Sequence, residues 1–320
     1  MDYHPPSVSV TAPVELAIER TRQILFRPFD FSKWIAIGFC AWLAYLGQGG
    51  FNYNRTYHRT TPSHGAFNSS SFAPVRAYWQ NNQTWIVPFA IGVFIVVLAL
   101  VVLMVWLQSR GGFMLLHCVA HNRGEVAIPW TKFAREAHSL WLFKLALAAI
   151  GLLLFLPIIG CGIWIFSNMF VGGHGFDPAK VPLLIGLGLA WLCIGVPLGV
   201  ISCFTRHFVV PIMYLSGGTC VDGWRVLLPF IEANPGRFIL YILFQIVIGI
   251  VIVFLIIAFA ICTCCIGGLL LMIPFVGSVV RLPITVFWRS YSLYYLAQYS
   301  PEFDVFRLEE PPGTGPALTM

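Results

Sequence analysis

The chain has 320 residues and a net charge of +6; 58% of its residues are hydrophobic and only 10% are charged. Soluble domains carry about 25% charged residues, so this composition excludes a soluble enzyme, a disordered chain and a nucleic-acid-binding protein. The class that remains is an all-α, polytopic membrane protein.

Long stretches without a charged residue mark the predicted transmembrane spans, each of which needs about 20 apolar residues. Four runs are long enough, and they cover residues 85–107, 145–171, 181–205 and 238–280. The last run has 43 residues, enough for two spans with a turn at Gly267 and Gly268. A shorter run, 34–46, becomes a span when its flanking residues join it. We therefore predict six transmembrane helices.

The remaining parts of the chain follow from these spans. Residues 13–300 form a single transmembrane domain, and residues 48–84 form its one sizeable outer loop. Residues 1–12 and 301–320 are terminal tails. Cytoplasmic loops are enriched in Lys and Arg, and with the N-terminus inside, 15 of the 19 Lys and Arg residues fall on the inner side. Both termini are therefore predicted to be cytoplasmic, with the basic residues in contact with anionic lipid.

Three segments combine an apolar stripe at helical spacing with a charged opposite face, near residues 14–25, 130–141 and 224–231. Each precedes an odd-numbered span on the inner side, which predicts an interfacial amphipathic helix at headgroup level. Pro28 ends the first, Asp30 or Ser32 can cap the helix that follows, and Asp222 can cap the third. The recurring unit predicts a threefold hairpin repeat over 13–120, 125–219 and 220–299.

Two segments carry a resemblance to known proteins. Residues 19–50 read ERTRQILFRPFDFSKWIAIGFCAWLAYLGQGG, and residues 289–306 read RSYSLYYLAQYSPEFDVF. At these segments the chain resembles uncharacterised bacterial six-span integral membrane proteins. Its layout is similar to that of the membrane domain attached to some glycerophosphodiester phosphodiesterases. The resemblance implies the inner membrane of a bacterium and implies no reaction.

Three arginines are the candidate binding residues. Arg110 and Arg206 occupy matching places near the inner ends of spans two and four, and Arg281 lies deeper on span six. In a threefold arrangement they would face one vestibule, and the spans contain no carboxylate to neutralise them. Because the guanidinium fork suits phosphate, we predict an anion or lipid-headgroup site. The alternative is that each arginine snorkels separately, with Arg281 bonding carbonyls freed by Pro274 and Pro283.

Metal sites and catalytic sites are not predicted. His117 and His121 share a helix face, and Cys262, Cys264 and Cys265 share a turn. Glu125 follows one turn after His121, but Gly124 is expected to end the helix before it, and the cysteines have no fourth ligand nearby in the sequence. Interfacial histidines and packed cysteines are therefore favoured, and no metal or cofactor is expected. The spans lack the acid that proton-coupled transport needs, and the sequence lacks nucleophile-elbow, phosphate-loop and dinucleotide motifs.

We therefore expect a non-enzymatic integral membrane protein. Its partners would be membrane lipids, anionic ones above all, or a membrane protein partner at the cytoplasmic leaflet. No nucleic-acid partner is expected. The alternative function is a transporter or channel for a small or lipidic solute.

Overall fold

The computed structural model describes residues 9–46, 73–170, 181–263, 267, 271 and 273–309. The α-helices are α1 (Ala12–Phe26), α2 (Phe31–Ala44), α3 (Ala73–Ala120), α4 (Ala127–Lys132), α5 (Ala134–Phe170), α6 (Val181–Phe204), α7 (Val210–Ser216), α8 (Cys220–Ala233), α9 (Pro235–Cys262), α10 (Pro274–Val280) and α11 (Leu282–Ala297). A π-helical turn, Thr205–Val209, joins α6 to α7, and two 3-10 turns, Pro301–Phe303 and Val305–Glu309, follow α11. The described residues contain no strand, so the all-α prediction is confirmed over them.

Four stretches of these helices are long and apolar enough to cross a membrane: Thr84–Ala120, Ala134–Ile165, Val181–Ser216 and Pro235–Phe259. Large apolar side chains along them are exposed, as Leu153 and Phe254 illustrate. A soluble protein rarely exposes contiguous apolar surface on this scale, whereas lipid tails would cover it. The helices therefore indicate a multi-pass membrane protein.

The first and sixth predicted spans are not among these four. α2 has 14 residues and rises about 21 Å, less than the hydrocarbon core of about 30 Å. In the part of the last apolar run assigned to the sixth span, α10 has 7 residues and ends at Val280, and α11 begins at Leu282 on the other side of Arg281. Pro283 favours this break, since proline is accommodated in the first turn of a helix but not in its interior.

Internal contacts divide the chain into two compact units. The first unit comprises Met1–Phe51, Val105–Phe143 and Cys203–Met320, and the second comprises Asn52–Met104 and Lys144–Ser202. Within the second unit, α5 packs on α6, with the ring centroids of Phe155 and Trp191 5.8 Å apart. A Cβ at Gly162 would lie 3.3 Å from the side chain of Leu187, so a small residue permits this close approach.

The core of the first unit is built around α11. Tyr291 and Tyr295 on this helix are fully buried, and their ring centroids lie 5.7 Å and 4.5 Å from that of Tyr241 on α9. Phe208 in the π-helical turn lies 4.9 Å from the same tyrosine ring. Aromatic pairs at such separations contribute about 0.5–1.5 kcal/mol beyond their area burial, so this cluster holds three elements together.

The turn between α1 and α2 follows the sequence prediction. α1 ends at Phe26, ahead of Pro28. The Asp30 carboxylate accepts hydrogen bonds from the main-chain nitrogens of Ser32 and Lys33, at 2.9 and 3.4 Å. An aspartate at this position satisfies N–H groups that have no partner inside the helix. The predicted cap at Asp30 is confirmed.

The two faces of α1 differ from the predicted amphipathic pattern. Ala17, Thr21 and Ile24 are buried, and α1 packs along α11. Ile18, which the periodicity assigned to the same apolar side, is 55% exposed. α1 therefore packs on protein through one face, and its place at a membrane surface stays a prediction.

The second predicted interfacial segment is divided between two helices, whereas the third lies within one helix. α4 ends at Lys132, and α5 begins at Ala134 and runs on to Phe170, so residues 134–141 are the first turns of a long helix. The third segment lies within α8. Thr219 is the N-cap of α8 and forms a reciprocal capping box with Asp222, which was predicted to be the cap itself. The threefold repeat stays a prediction.

The predicted loop and tails are described only in part. Residues 48–72 of the outer loop, 1–8 and 310–320 lie outside the described residues, whereas 73–84 form the start of α3 rather than loop. In the predicted C-terminal tail, Phe303 and Val305 are buried in the 3-10 turns. The division into one membrane domain and two tails stays a prediction.

Candidate functional site

Arg110 lies on α3 between two tryptophans. Its Nη1 donates a hydrogen bond of 2.8 Å to the main-chain oxygen of Trp130. Its guanidinium carbon lies 4.7 Å from the ring centroid of Trp106 and 5.0 Å from that of Trp130. Cation–π contacts of this kind stabilise a cation by about 0.5–2 kcal/mol. The Nε atom is buried without a hydrogen-bond partner in the described part of the chain.

Arg206 lies in the π-helical turn, where its guanidinium carbon is 5.3 Å from the ring centroid of Tyr45. Its neighbour His207 belongs to a small polar network. His207 Nδ1 lies 3.2 Å from the hydroxyl of Tyr241 and 3.3 Å from Nε2 of Gln245, and Gln245 Nε2 donates to the same hydroxyl at 2.7 Å. π-Helical turns are rare and frequently occur at functional sites.

Arg289 joins Arg206, although the sequence did not single it out. Nη1 of Arg289 donates a hydrogen bond of 2.7 Å to the main-chain oxygen of Arg206. Arg289 is only 7% exposed. Burial, together with the nearby charge of Arg206, lowers the pKa of Arg289 to about 10, so its guanidinium keeps its charge at neutral pH.

Arg281 donates to carbonyl oxygens of its own segment. Its Nε donates to Gly277 at 3.1 Å, and its Nη2 donates to Leu271 at 3.4 Å. The carbonyls freed by Pro274 and Pro283 were the predicted partners, but the acceptors are these two instead. These contacts favour the structural alternative for Arg281.

The three predicted arginines all belong to the first unit, yet each contacts different groups. Arg110 contacts tryptophans, Arg206 contacts Tyr45, and Arg281 contacts nearby carbonyls. The shared vestibule stays a prediction. Arg289 could have been suspected from the sequence, because it is a cation inside the aromatic segment 287–295. Its neighbour Arg206 lies 83 positions away, however, and no local pattern reveals such a contact.

A second buried arginine, Arg20, joins α1 to α3 through hydrogen bonds. Nη2 of Arg20 donates to the main-chain oxygens of Val119 and Ala120, at 3.1 and 2.9 Å, and its guanidinium carbon lies 4.8 Å from the ring centroid of Phe306. The last carbonyls of a helix have no partner inside it, and a cation there also complements the helix dipole. From the sequence, Arg20 was predicted only to be one of the inner-side charges.

The histidine pair on α3 shares one tyrosine. Nδ1 of His117 and Nδ1 of His121 lie 2.9 and 3.3 Å from the hydroxyl of Tyr214. Over the described ranges, no group of three or more His, Cys, Asp and Glu residues is arranged to hold a metal ion. Cys264 and Cys265, of the predicted cysteine turn, lie outside these ranges.

Residues 9–280 match the model of a family described as a family of unknown function, DUF7544. The chain belongs to this family. No curated protein and no solved structure matches it. The family match includes Arg110 and Arg206, while Arg281 and Arg289 follow the matched range. The similarity to membrane domains of glycerophosphodiester phosphodiesterases stays a prediction.

Proposed function

We propose that this protein is a non-enzymatic membrane protein that binds anionic lipid headgroups at the cytoplasmic leaflet of a bacterial inner membrane. The observation that carries the proposal is the position of Arg110 between Trp106 and Trp130. A cation beside tryptophan rings is typical of the headgroup level, where the apolar part of a side chain meets lipid and the polar end meets water.

The length of the apolar stretch before Arg110 supports a position of this side chain at the headgroup level. Residues 85–107 carry no charge, and 23 helical residues rise about 35 Å, close to the hydrocarbon thickness of about 30 Å. Arg110 therefore follows directly after a stretch that fills the membrane core. A basic residue at an anionic leaflet contributes about 1 kcal/mol of attraction.

Further cations lie on the elements next to Arg110. Lys132, at the end of α4, is exposed and lies 5.4 Å from the ring centroid of Phe133. Arg135, in the first turn of α5, is also exposed, and its Nε lies 3.9 Å from Oε1 of Glu136. No carboxylate within the described residues pairs with Arg110. Lipid phosphate is a natural counter-ion for such a group of cations.

The test is the amount of anionic lipid that stays bound during purification. Arg110→Gln should retain several-fold less phosphatidylglycerol than wild type, measured by mass spectrometry after extraction from equal amounts of monodisperse protein. Arg225→Gln is the matched control, because Arg225 is exposed and paired with Asp222 at 3.5 Å. Equal retention by Arg110→Gln and wild type would contradict the proposal.

Two alternatives from the sequence stay predictions. A membrane protein partner would show as a second chain that co-purifies with wild type and is lost with Arg110→Gln. Transport of a small or lipidic solute would show as flux into vesicles that contain the protein. No contact among the described residues favours either one over lipid binding.

A further inference from the structure

One edge of the buried Arg289 guanidinium has no protein partner. Nη1 is anchored on the main-chain oxygen of Arg206 at 2.7 Å. Nε and Nη2 are both buried, and neither has a hydrogen-bond partner in the described residues. These two atoms donate in parallel from the same side of the planar group, and this is the edge that binds two oxygens of one oxyanion.

The charges around this edge favour an anion. The groups that interact electrostatically with Arg289 include Tyr45, Arg206, Tyr241 and His207, and none of these is a carboxylate. None of the ion pairs in the described residues includes Arg289. A buried cation without a counter-ion is costly, and a second guanidinium nearby adds repulsion. A water molecule could accept the hydrogen bonds, but only an anion would also neutralise the charge.

The edge itself is closed to solvent, because Nε and Nη2 of Arg289 are both buried. Arg206 and Tyr45 are half-buried, whereas Arg289 itself is buried. A phosphate group therefore reaches this edge only after neighbouring side chains move, and the half-buried Tyr45 and Arg206 are the neighbours that have solvent-exposed surface. The main-chain anchor at Nη1 fixes the plane of Arg289 in advance, so little side-chain freedom is lost when a ligand binds.

We propose that the Nε and Nη2 edge of Arg289 binds one phosphate group, with the charge of Arg206 beside it. The phosphate belongs either to a lipid headgroup or to free phosphate, since both present two oxygens at the spacing of this edge. The site is distinct from the lipid contact proposed for Arg110 and does not depend on it.

The test compares wild type with Arg289→Lys in delipidated detergent solution. Lysine keeps the positive charge but presents no two-donor edge, so phosphate should bind roughly tenfold more weakly or worse, given the strength of charged hydrogen bonds. The readout is the melting temperature at constant ionic strength as chloride is exchanged for inorganic phosphate. In a second arm, dioleoylphosphatidylglycerol is added, with dioleoylglycerol, which has no phosphate, as the control lipid.

A rise in the melting temperature of wild type with inorganic phosphate, lost in Arg289→Lys, would support the site and assign it to free phosphate. A rise only with phosphatidylglycerol, again lost in the variant, would support the site and assign it to a lipid. No rise in wild type with either probe, or an equal rise in wild type and Arg289→Lys, would overturn the proposal.

Three further variants keep the result interpretable. Arg225→Lys changes an exposed arginine in the same way and should behave as wild type in both arms. Arg110→Gln should lose phosphatidylglycerol during purification yet keep the Arg289-dependent shift, so failure of the lipid proposal is distinguishable from failure of this one. If Arg289→Lys does not fold, Tyr45→Trp, which crowds the half-buried approach, should weaken the same shift. An unchanged shift in Tyr45→Trp would then overturn the proposal.

Discussion

Buried and half-buried arginines in the first unit donate to main-chain carbonyl oxygens. Arg20 does so at 2.9 Å, Arg110 at 2.8 Å and Arg289 at 2.7 Å. Each acceptor belongs to another element, so each arginine joins two parts of the fold. A carbonyl oxygen fixes a guanidinium without neutralising its charge. At Arg110 and Arg289 the charge therefore remains for a ligand, which is the common basis of both proposed sites.

A close backbone approach in the first unit predicts a sensitive glycine. A Cβ at Gly111 would contact the main-chain nitrogen of Ala44 and would lie 2.6 Å from the carbonyl carbon of Leu43. Because the atoms in the way are backbone, Gly111→Ala should lower the free energy of unfolding by about 1–3 kcal/mol. Gly112 has nothing within 4 Å of the same position, so Gly112→Ala should be neutral or stabilising by up to about 1 kcal/mol. Thermal unfolding in detergent measures both, and equal melting temperatures would contradict the close approach.

At the scale of elements, local signals predicted where helices begin and end. Asp30 caps α2 because its carboxylate reaches main-chain nitrogens two and three residues on, and this spacing is visible in the sequence. The surface that each helix covers was not predictable in the same way. Ile18 follows the apolar spacing of α1 yet is exposed, because α1 turns its Ala17 and Ile24 face toward α11. Tertiary contacts, rather than periodicity, decide that rotation.

The N-terminus of α8 predicts a pH-dependent contribution to stability. The side-chain and main-chain hydrogen bonds from Thr219 hold the pKa of the Asp222 carboxyl below its usual range. A lowered pKa in the folded state stabilises the protein above the ordinary carboxyl pKa of about 3.9, and this contribution is lost as the pH falls through the lower, folded-state value. The melting temperature of wild type should therefore exceed that of Asp222→Asn at pH 5–8, and the two should converge below about pH 4. A gap that stays constant down to pH 3 would contradict the assignment.

At the scale of the whole molecule, the position of α11 determines how often the chain must cross the membrane. Tyr241, near the start of α9, stacks on Tyr291 of α11 with ring centroids 5.7 Å apart. α9 has 28 residues and rises about 42 Å. If α9 crosses the bilayer, its end at Cys262 lies on the face opposite to α11. Residues 263–281 must then bring the chain back across the membrane.

The contacts of Arg281 fit such a return segment. Irregular backbone at membrane depth is tolerated only where its polar groups find partners inside the protein. Arg281 supplies two donors, to the oxygens of Gly277 and Leu271, next to the break between α10 and α11. The sequence predicted carbonyl acceptors for this arginine, although not these two, and its depth in the membrane stays a prediction. It could not indicate the break between α10 and α11, because this break combines Pro283 with packing of α10 against α2.

The return of the chain predicts which exposed positions share a face of the membrane. Arg123, in the turn after α3, and Glu302, after α11, are both exposed and belong to the first unit. The cysteine variants Arg123→Cys and Glu302→Cys should therefore react on the same side with a membrane-impermeant maleimide. His174→Cys, between α5 and α6, should react on the other side.

The excess of Lys and Arg assigns these two sides. In spheroplasts of an expressing bacterium, His174→Cys should be labelled at once, and the other two variants only after permeabilisation. The unsubstituted protein is the control, because its exposed native cysteines include Cys161, Cys193 and Cys262 on apolar helices. Labelling of Glu302→Cys together with His174→Cys would show that residues 263–281 do not cross back. If the labelling pattern of all three variants were reversed, the arginine-rich face would lie outside. The proposed lipid contact would then not be at the cytoplasmic leaflet.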